Sequence, residues 1–283
     1  MTPPLVLRAP AKINLSLEVL ARRADGYHEV RMLMAAVSLE DELSFEAAEG
    51  LSLSCDLASL DCSESNLVLR AARALQKALG REAGARIRLK KRIPLGGGLA
   101  GGSTDAAATL LGLNQLWQGG LDPDALRSIA ASLGSDIPFC LQGGWAFATG
   151  RGEQLEALPL PPRLHFVLAN PGFEVSTKWA YSKVQQFNIS HRNLSAEAFA
   201  AVRKRDWAAL ESVAVNDLEK VTEARHPEVQ ALKRRLLDLG AVISRMSGSG
   251  PTVWGLFKDG EESKKACEEM IKMNLTALAV HTL

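Results

Sequence analysis

Apolar and polar residues alternate along residues 5–20, LVLRAPAKINLSLEVL. Leu5, Leu7, Ala9, Ala11, Ile13, Leu15, Leu17 and Val19 fall on one side, and Arg8, Lys12, Asn14, Ser16 and Glu18 on the other. A period of two predicts a half-buried strand, or a strand pair broken at Pro10. An Asp25-Gly26 turn follows, and VRMLMAAVSLEDELSF at 30–45 predicts more strand. The period then lengthens. Over 66–79, Val68, Ala71, Ala72, Leu75 and Leu79 share one helical face, with Ser65 or Asn66 as cap and Gly80 as stop. ARIRLKKRI at 85–93 alternates again and runs into the glycine-rich stretch PLGGGLAGGSTDAAATLL at 94–111. Beyond it, Ala107, Leu110, Leu111, Asn114 and Trp117 stand at helical spacing. Asp122-Pro123 opens another helix that ends at Leu133-Gly134. GGWAFATGRGEQL at 143–155 predicts a hairpin.

LPLPPR at 158–163 is the best linker candidate, because proline stiffens the chain and is excluded from central strands. After it the pattern predicts a strand at 164–170, helices through 196–222 and 226–239, and strands at 241–246 and 252–257. A helix at 260–273 and a strand at 275–281 complete the chain. That order approximates the split β-α-β arrangement of ferredoxin-like domains. The expectation is α+β with two domains, 1–158 and 159–283.

Composition narrows the function. The 283 residues carry 33 Lys+Arg against 32 Asp+Glu, a formal charge of +1 that argues against a general nucleic-acid binder. Cys55, Cys62, Cys140 and Cys267 are scattered without metal-ligand spacing, and are expected to be buried free thiols in a reducing compartment. No signal peptide or membrane-spanning run is evident, so a cytoplasmic, membrane-free location is expected.

The glycine-rich stretch packs five glycines into positions 96–102. Gly96, Gly98 and Gly101 satisfy G-x-G-x-x-G, the dinucleotide fingerprint, which predicts a nicotinamide-dependent oxidoreductase as one alternative. The context is wrong for it: the preceding strand alternates with Arg86, Arg88, Lys90 and Arg92, whereas a central parallel strand is apolar on both faces. A Walker loop needs G-K-[ST], and here the glycines end in Gly102-Ser103-Thr104. What remains is a turn opening a helix, whose clustered N–H groups and positive dipole end suit a phosphate. Ser103 and Thr104 could cap that helix, or bind phosphate or a magnesium ion. The four basic residues of the preceding strand are expected to form a solvated face that draws anions electrostatically.

Pro94, Leu95, Gly96, Gly97, Gly98, Leu99, Ala100, Gly101, Gly102, Ser103, Thr104 and the following aspartate resemble the ATP-binding motif of the galactokinase/homoserine kinase/mevalonate kinase/phosphomevalonate kinase superfamily. PAKINL at 10–15 and SGSGPTV at 247–253 resemble two further motifs of that superfamily, in the same order. The resemblance implies an ATP-dependent small-molecule kinase using Mg²⁺, with an N-terminal domain like ribosomal protein S5 and a ferredoxin-like C-terminal domain. RADGYHEV at 23–30, NLVLRAA at 66–72 and LGSDIPF at 133–139 are similar to a branch that phosphorylates an alcohol bearing a cytidine diphosphate moiety, on a route to isoprenoids. Kinases of the homoserine or mevalonate type are the alternative within the superfamily.

Each site residue also has a purely structural explanation. Asp136 follows a helix stop and precedes Ile-Pro, as turn and cap aspartates do; the resemblance makes it the general base. Lys12 and Asn14 read from periodicity as a solvated face; the resemblance makes Lys12 catalytic, beside the aspartate, and Asn14 a substrate contact. Tyr27 and His28, at the Asp-Gly turn, are implied to stack on and read a cytosine, with the second aromatic wall at a position occupied here by Ala214. Asn66, a natural helix cap, and Lys91 are implied nucleotide contacts. Ser176 and Thr177 match a stretch on the substrate side, with Thr177 taken as substrate-binding.

Overall fold

The computed structural model describes residues 3–184 and 193–283. By internal contacts the chain forms two compact units, each discontinuous in sequence. Unit 1 comprises Met1–Ala11, Leu39–Ile93 and Ala100–Gly143, and unit 2 comprises Lys12–Ser38, Pro94–Leu99 and Gly144–Leu283. Strands β1 (Leu5–Arg22) and β2 (His28–Ala48) are long enough to contribute to both. The proline stretch at 158–163 lies inside unit 2.

In unit 1 the distal part of β2 pairs antiparallel with β4 (Gly84–Lys90), from Glu42 opposite Lys90 to Ala48 opposite Gly84. Strand β3 (Leu51–Cys55) runs parallel to β4, and helix α1 (Leu67–Leu79) makes the crossover between them. Asn66 accepts a hydrogen bond from the Val68 N–H and caps α1, and Gly80 ends it in the left-handed conformation. Helices α2 (Gly101–Leu116), α3 (Pro123–Leu133) and α4 (Ile137–Gln142) complete the unit, α3 being capped by Asp122. Leu43, Phe45, Ala72, Leu75, Ile87, Ala106, Leu110 and Leu113 form one buried core. Alanines at 106–108 let α2 sit deep in it, buried around much of its circumference. The basic face of β4 is solvated as expected: Arg86 and Arg88 pair with Glu46, and Lys90 with Glu42, across strands. Such exposed pairs add little stability.

In unit 2 the proximal part of β2 pairs antiparallel with β5 (Trp145–Thr149), which forms the expected hairpin with β6 (Gln154–Leu158). A second, antiparallel sheet has the order β10-β7-β9-β8, with β7 (His165–Asn170), β8 (Ile243–Met246), β9 (Val253–Phe257) and β10 (Thr276–His281). Helices α5 (Thr177–Lys183), α6 (Leu194–Lys204), α7 (Trp207–Val213), α8 (Asp217–Arg225) and α9 (Pro227–Asp238) lie between β7 and β8, and α10 (Gly260–Lys272) joins β9 to β10. This is the ferredoxin-like order that the strand and helix pattern predicts.

The four cysteines are unbridged, but only Cys267 is buried; Cys55, Cys62 and Cys140 are partly exposed, which corrects the expectation of four buried thiols. Among the described residues no helix is long and apolar enough to cross a membrane.

Candidate active site

In unit 2, three sequence-distant segments share one backbone assembly. The Lys12 N–H donates to the Leu99 carbonyl at 3.1 Å, and the Thr252 N–H to the Gly97 carbonyl at 3.3 Å. The Ser247 hydroxyl donates to the Gly98 carbonyl at 3.0 Å and accepts from the Asn14 N–H at 3.3 Å. Trp254 Nε1 donates to the Asn14 carbonyl at 3.0 Å. Much of the glycine density answers to this packing. Gly98 has φ +75°, and a Cβ there would overlap the Ser247 carbonyl oxygen; one at Gly96, φ +55°, would stand 2.6 Å from Glu174 Cβ. Asn216 braces the same assembly, its amide donating to the Met246 and Gly248 carbonyls at 2.8 Å each.

Lys12 and Asn14, 4% and 1% exposed, are not on a solvated face. Lys12 Nζ donates to Asn14 Oδ1 at 2.7 Å, and Asn14 Nδ2 contacts Met32 Sδ at 3.2 Å. Alternation predicts water on this side of β1, but tertiary packing covers it, so a lysine is held in one orientation by a buried amide.

The Asp25-Gly26 turn presents Tyr27 and His28. The Tyr27 N–H donates to Asp25 Oδ1 at 3.1 Å; the residue is 53% exposed, with the Arg151 guanidinium 4.8 Å above its ring. His28 stacks on Tyr181 of α5, centroids 5.3 Å apart and planes at 27°. Burial, with help from Arg22, holds the His28 imidazole below its ordinary pKa. Its Nε2 is buried without a hydrogen-bond partner among the described residues. Thr177 opens α5 and shares a hydrogen bond with Ser249 at 3.0 Å, while Ser176 caps the helix by accepting from the Trp179 N–H. Ala214, at the end of α7, is fully buried, so it does not mark the place of a second aromatic wall.

In unit 1, α2 begins at Gly101. Its cap residue is Ala100, at φ 59°, with no side-chain cap. Ser103 and Thr104 therefore lie within the helix and do not cap it. The Thr104 N–H is bound by the Ala100 carbonyl, whereas the N–H groups of the first three helical residues precede any intrahelical acceptor. Left-handed Ala100 costs roughly 1 kcal/mol, the kind of strain that collects at ligand sites. Gly102 is exposed and Ser103 half-buried, while Thr104 is buried.

Asp136 occupies the cap position of α4 but has helical φ/ψ (−82°, −17°) and makes no side-chain cap. Asn66 does cap: its Oδ1 accepts at the start of α1 and its Nδ2 donates to the Asp61 carbonyl at 2.6 Å. Lys91 is also committed. Its side chain is 2% exposed, with Nζ 2.5 Å from Asp41 Oδ2 and 2.6 Å from Asp105 Oδ2. Burial pushes Asp105 up to about 7, and its Oδ1 has no hydrogen-bond partner among the described residues.

Comparison with known proteins decides the family. Residues 66–144 match the GHMP kinases N terminal domain, and residues 198–274 the GHMP kinases C terminal domain. The chain is 45% identical to the 4-diphosphocytidyl-2-C-methyl-D-erythritol kinase of Pelotomaculum thermopropionicum, over 97% of this chain and 96% of that one. The enzyme of the same name from Enterococcus faecalis is 44% identical, over 94% and 97%. The chain belongs to the 4-diphosphocytidyl-2-C-methyl-D-erythritol kinase family of GHMP kinases. The crystal structure of a 4-(cytidine 5'-diphospho)-2C-methyl-D-erythritol kinase superposes with a TM-score of 0.83 at 36% identity, covering 98% of this chain and 99% of that one. Homoserine kinase from Cytophaga hutchinsonii, at 23% identity and a TM-score of 0.78 over 100% and 95%, shares the fold. This GHMP kinase is accordingly an ATP-dependent small-molecule kinase of the isoprenoid pathway.

Sequence reasoning missed Tyr181, Asn216 and Asp41 of this GHMP kinase, and took Asp105 only as part of the loop motif. A signal for Tyr181 existed. It is the only tyrosine besides Tyr27, and it lies four residues beyond Thr177, on the same face of a short helix. Nothing local points to Asn216, whose acceptors lie about 30 residues away.

Proposed function

We propose that this GHMP kinase transfers the γ-phosphoryl group of ATP to the 2-hydroxyl of 4-diphosphocytidyl-2-C-methyl-D-erythritol. The observation that carries the substrate assignment is the flat aromatic surface of His28 on Tyr181, beside exposed Tyr27. A base stacks on the rings of Tyr27 and Tyr181, and the unpartnered imidazole Nε2 of His28 supplies a hydrogen-bonding group for its edge. Homoserine and mevalonate carry no base to use it.

Asp136 accepts the proton of the attacking hydroxyl. The oxygen–phosphorus bond to the acceptor forms as the bond to the β-phosphate oxygen breaks, and ADP leaves. Little covalent work falls to the protein in such a transfer; positioning and charge neutralisation carry it. The loop from Pro94 to Thr104 holds the phosphates through backbone N–H groups at the start of α2, and Lys12, oriented by Asn14, stabilises the charge in transit. Magnesium, when bound, neutralises phosphate oxygens. Among the described residues no cluster of three or more His, Cys, Asp or Glu could hold it. Phosphates and water would be its main ligands, and the half-buried Ser103 hydroxyl of the loop could join them.

Tyr181→Ala tests the base reading. Loss of a stacking surface worth roughly 1–3 kcal/mol should raise KM for the cytidylated substrate about 5- to 150-fold and leave KM for ATP unchanged. Initial-rate kinetics with each substrate varied decide it; equal effects on both, or none, remove Tyr181 from the base site.

A further inference from the structure

Lys91, Asp41 and Asp105 do more than fill a buried space. We propose that they are positioning residues that close the two ends of the glycine loop on each other and so set the enzyme's affinity for ATP. The proposal rests on the reading of that loop as the phosphate cradle.

The geometry has two halves. On the entry side, Asp41 Oδ1 accepts from the N–H groups of Arg92 at 2.5 Å and Ile93 at 2.9 Å, the last residues before Pro94. On the exit side, Asp105 is the fifth residue of α2. The Lys91 ammonium joins the two, 2.5 Å from Asp41 Oδ2 and 2.6 Å from Asp105 Oδ2. A second contact closes the same gap: a Cβ on Gly101 would come within 3.0 Å of both Lys91 Nζ and Ile93 Cγ2. The residues entering the loop and those leaving it are thus fixed against each other inside unit 1.

A buried ion pair is a poor source of net stability, because desolvation offsets the attraction; its clearest use is to fix geometry. A loop whose ends are already closed loses less conformational entropy when phosphate binds, so the gain appears as ligand affinity. Lys91 and both carboxylates are at most 4% exposed and act through the loop backbone, without touching substrate.

The informative variant is Asp105→Ala, because it opens the exit side and leaves Lys91 and Asp41 as a neutralised pair. KM for ATP should rise about tenfold or more, with kcat at saturating ATP and KM for the alcohol held within about threefold. Asp105→Asn, whose amide oxygen still accepts from Lys91, should bring KM for ATP back to within about threefold of wild type. Asp105→Ser is the second truncation, used if the alanine variant lacks the wild-type circular dichroism spectrum. A folded truncation with unchanged KM for ATP overturns the proposal, as does an asparagine variant as impaired as the truncation. Thermal shift with ATP alone separates the two levels. A wild-type enzyme that ATP does not protect overturns the phosphate-cradle reading and the clamp with it. Equal protection of wild type and truncation overturns the clamp alone.

Discussion

Asp136→Asn is expected to fold as the wild type does and to lose turnover by about 10²–10⁴-fold, the usual contribution of a positioned general base. Most helices of this enzyme with an Asp or Asn before them use it as a cap: Asn66, Asp122, Asp206, Asn216 and Asp259 all accept from N–H groups of the first turn. Asp136 stands in the same position before α4 without accepting such a bond, and Pro138 stiffens the first turn behind it. An amide of the same size keeps the shape of the side chain and removes the one property the reaction needs, a group that takes a proton. The loss should fall on kcat, with KM for ATP unchanged. Coupled ADP release and a thermal melt on the same preparation check both halves; near-normal turnover in a folded variant removes Asp136 from the chemistry.

Gly98→Ala should be strongly damaging for a single added methyl group. Gly98 sits at φ +75°, and the new Cβ overlaps the Ser247 carbonyl oxygen and stands 2.9 Å from the Gly250 nitrogen. Both obstacles are backbone, so no rotamer change relieves them. Left-handed strain of roughly 1–2 kcal/mol and overpacking of roughly 1–3 kcal/mol add to a loss of about 2–5 kcal/mol. Relief can come only by moving the loop off the 247–250 turn, and KM for ATP should then rise on the order of 100-fold. Gly102 is the control for stability: its added Cβ would meet only Leu67 Cδ1, at 3.6 Å, inside a helix where alanine is favoured by about 1 kcal/mol over glycine. Chemical denaturation of both variants reads the contrast. Gly98→Ala as stable as Gly102→Ala would mean that the glycines do not answer to packing.

Periodicity carried the elements well because most of them bury one regular face. Helix α1 was legible from Asn66 to Gly80, and the strands and helices of the ferredoxin-like sheet were legible in order. The alternation of β4 was informative even at Lys91, which shares parity with buried Ile87 and Leu89. Its partners were not legible, because Asp41 lies 50 residues away. The same limit applies to the glycine loop. Its local sequence suggested an anion site, whereas the contacts that demand glycine come from a turn about 150 residues further along the chain. Lys12 and Asn14 were misread by periodicity for a related reason: a polar stripe on a strand predicts water only while nothing else packs over it, and here packing buries both residues. The compact units do not follow a single cut in the chain because β1 and β2 each serve both, a continuity that composition does not mark.

The central claim is that this fold transfers phosphate from ATP to a cytidylated alcohol. Its most direct test is coupled ADP release by the wild-type enzyme with ATP and Mg²⁺, offered 4-diphosphocytidyl-2-C-methyl-D-erythritol, homoserine, mevalonate or buffer. Rapid, saturable ADP release is expected with the cytidylated alcohol, and rates at the buffer level with the other two. No rate above buffer with the cytidylated alcohol would contradict it.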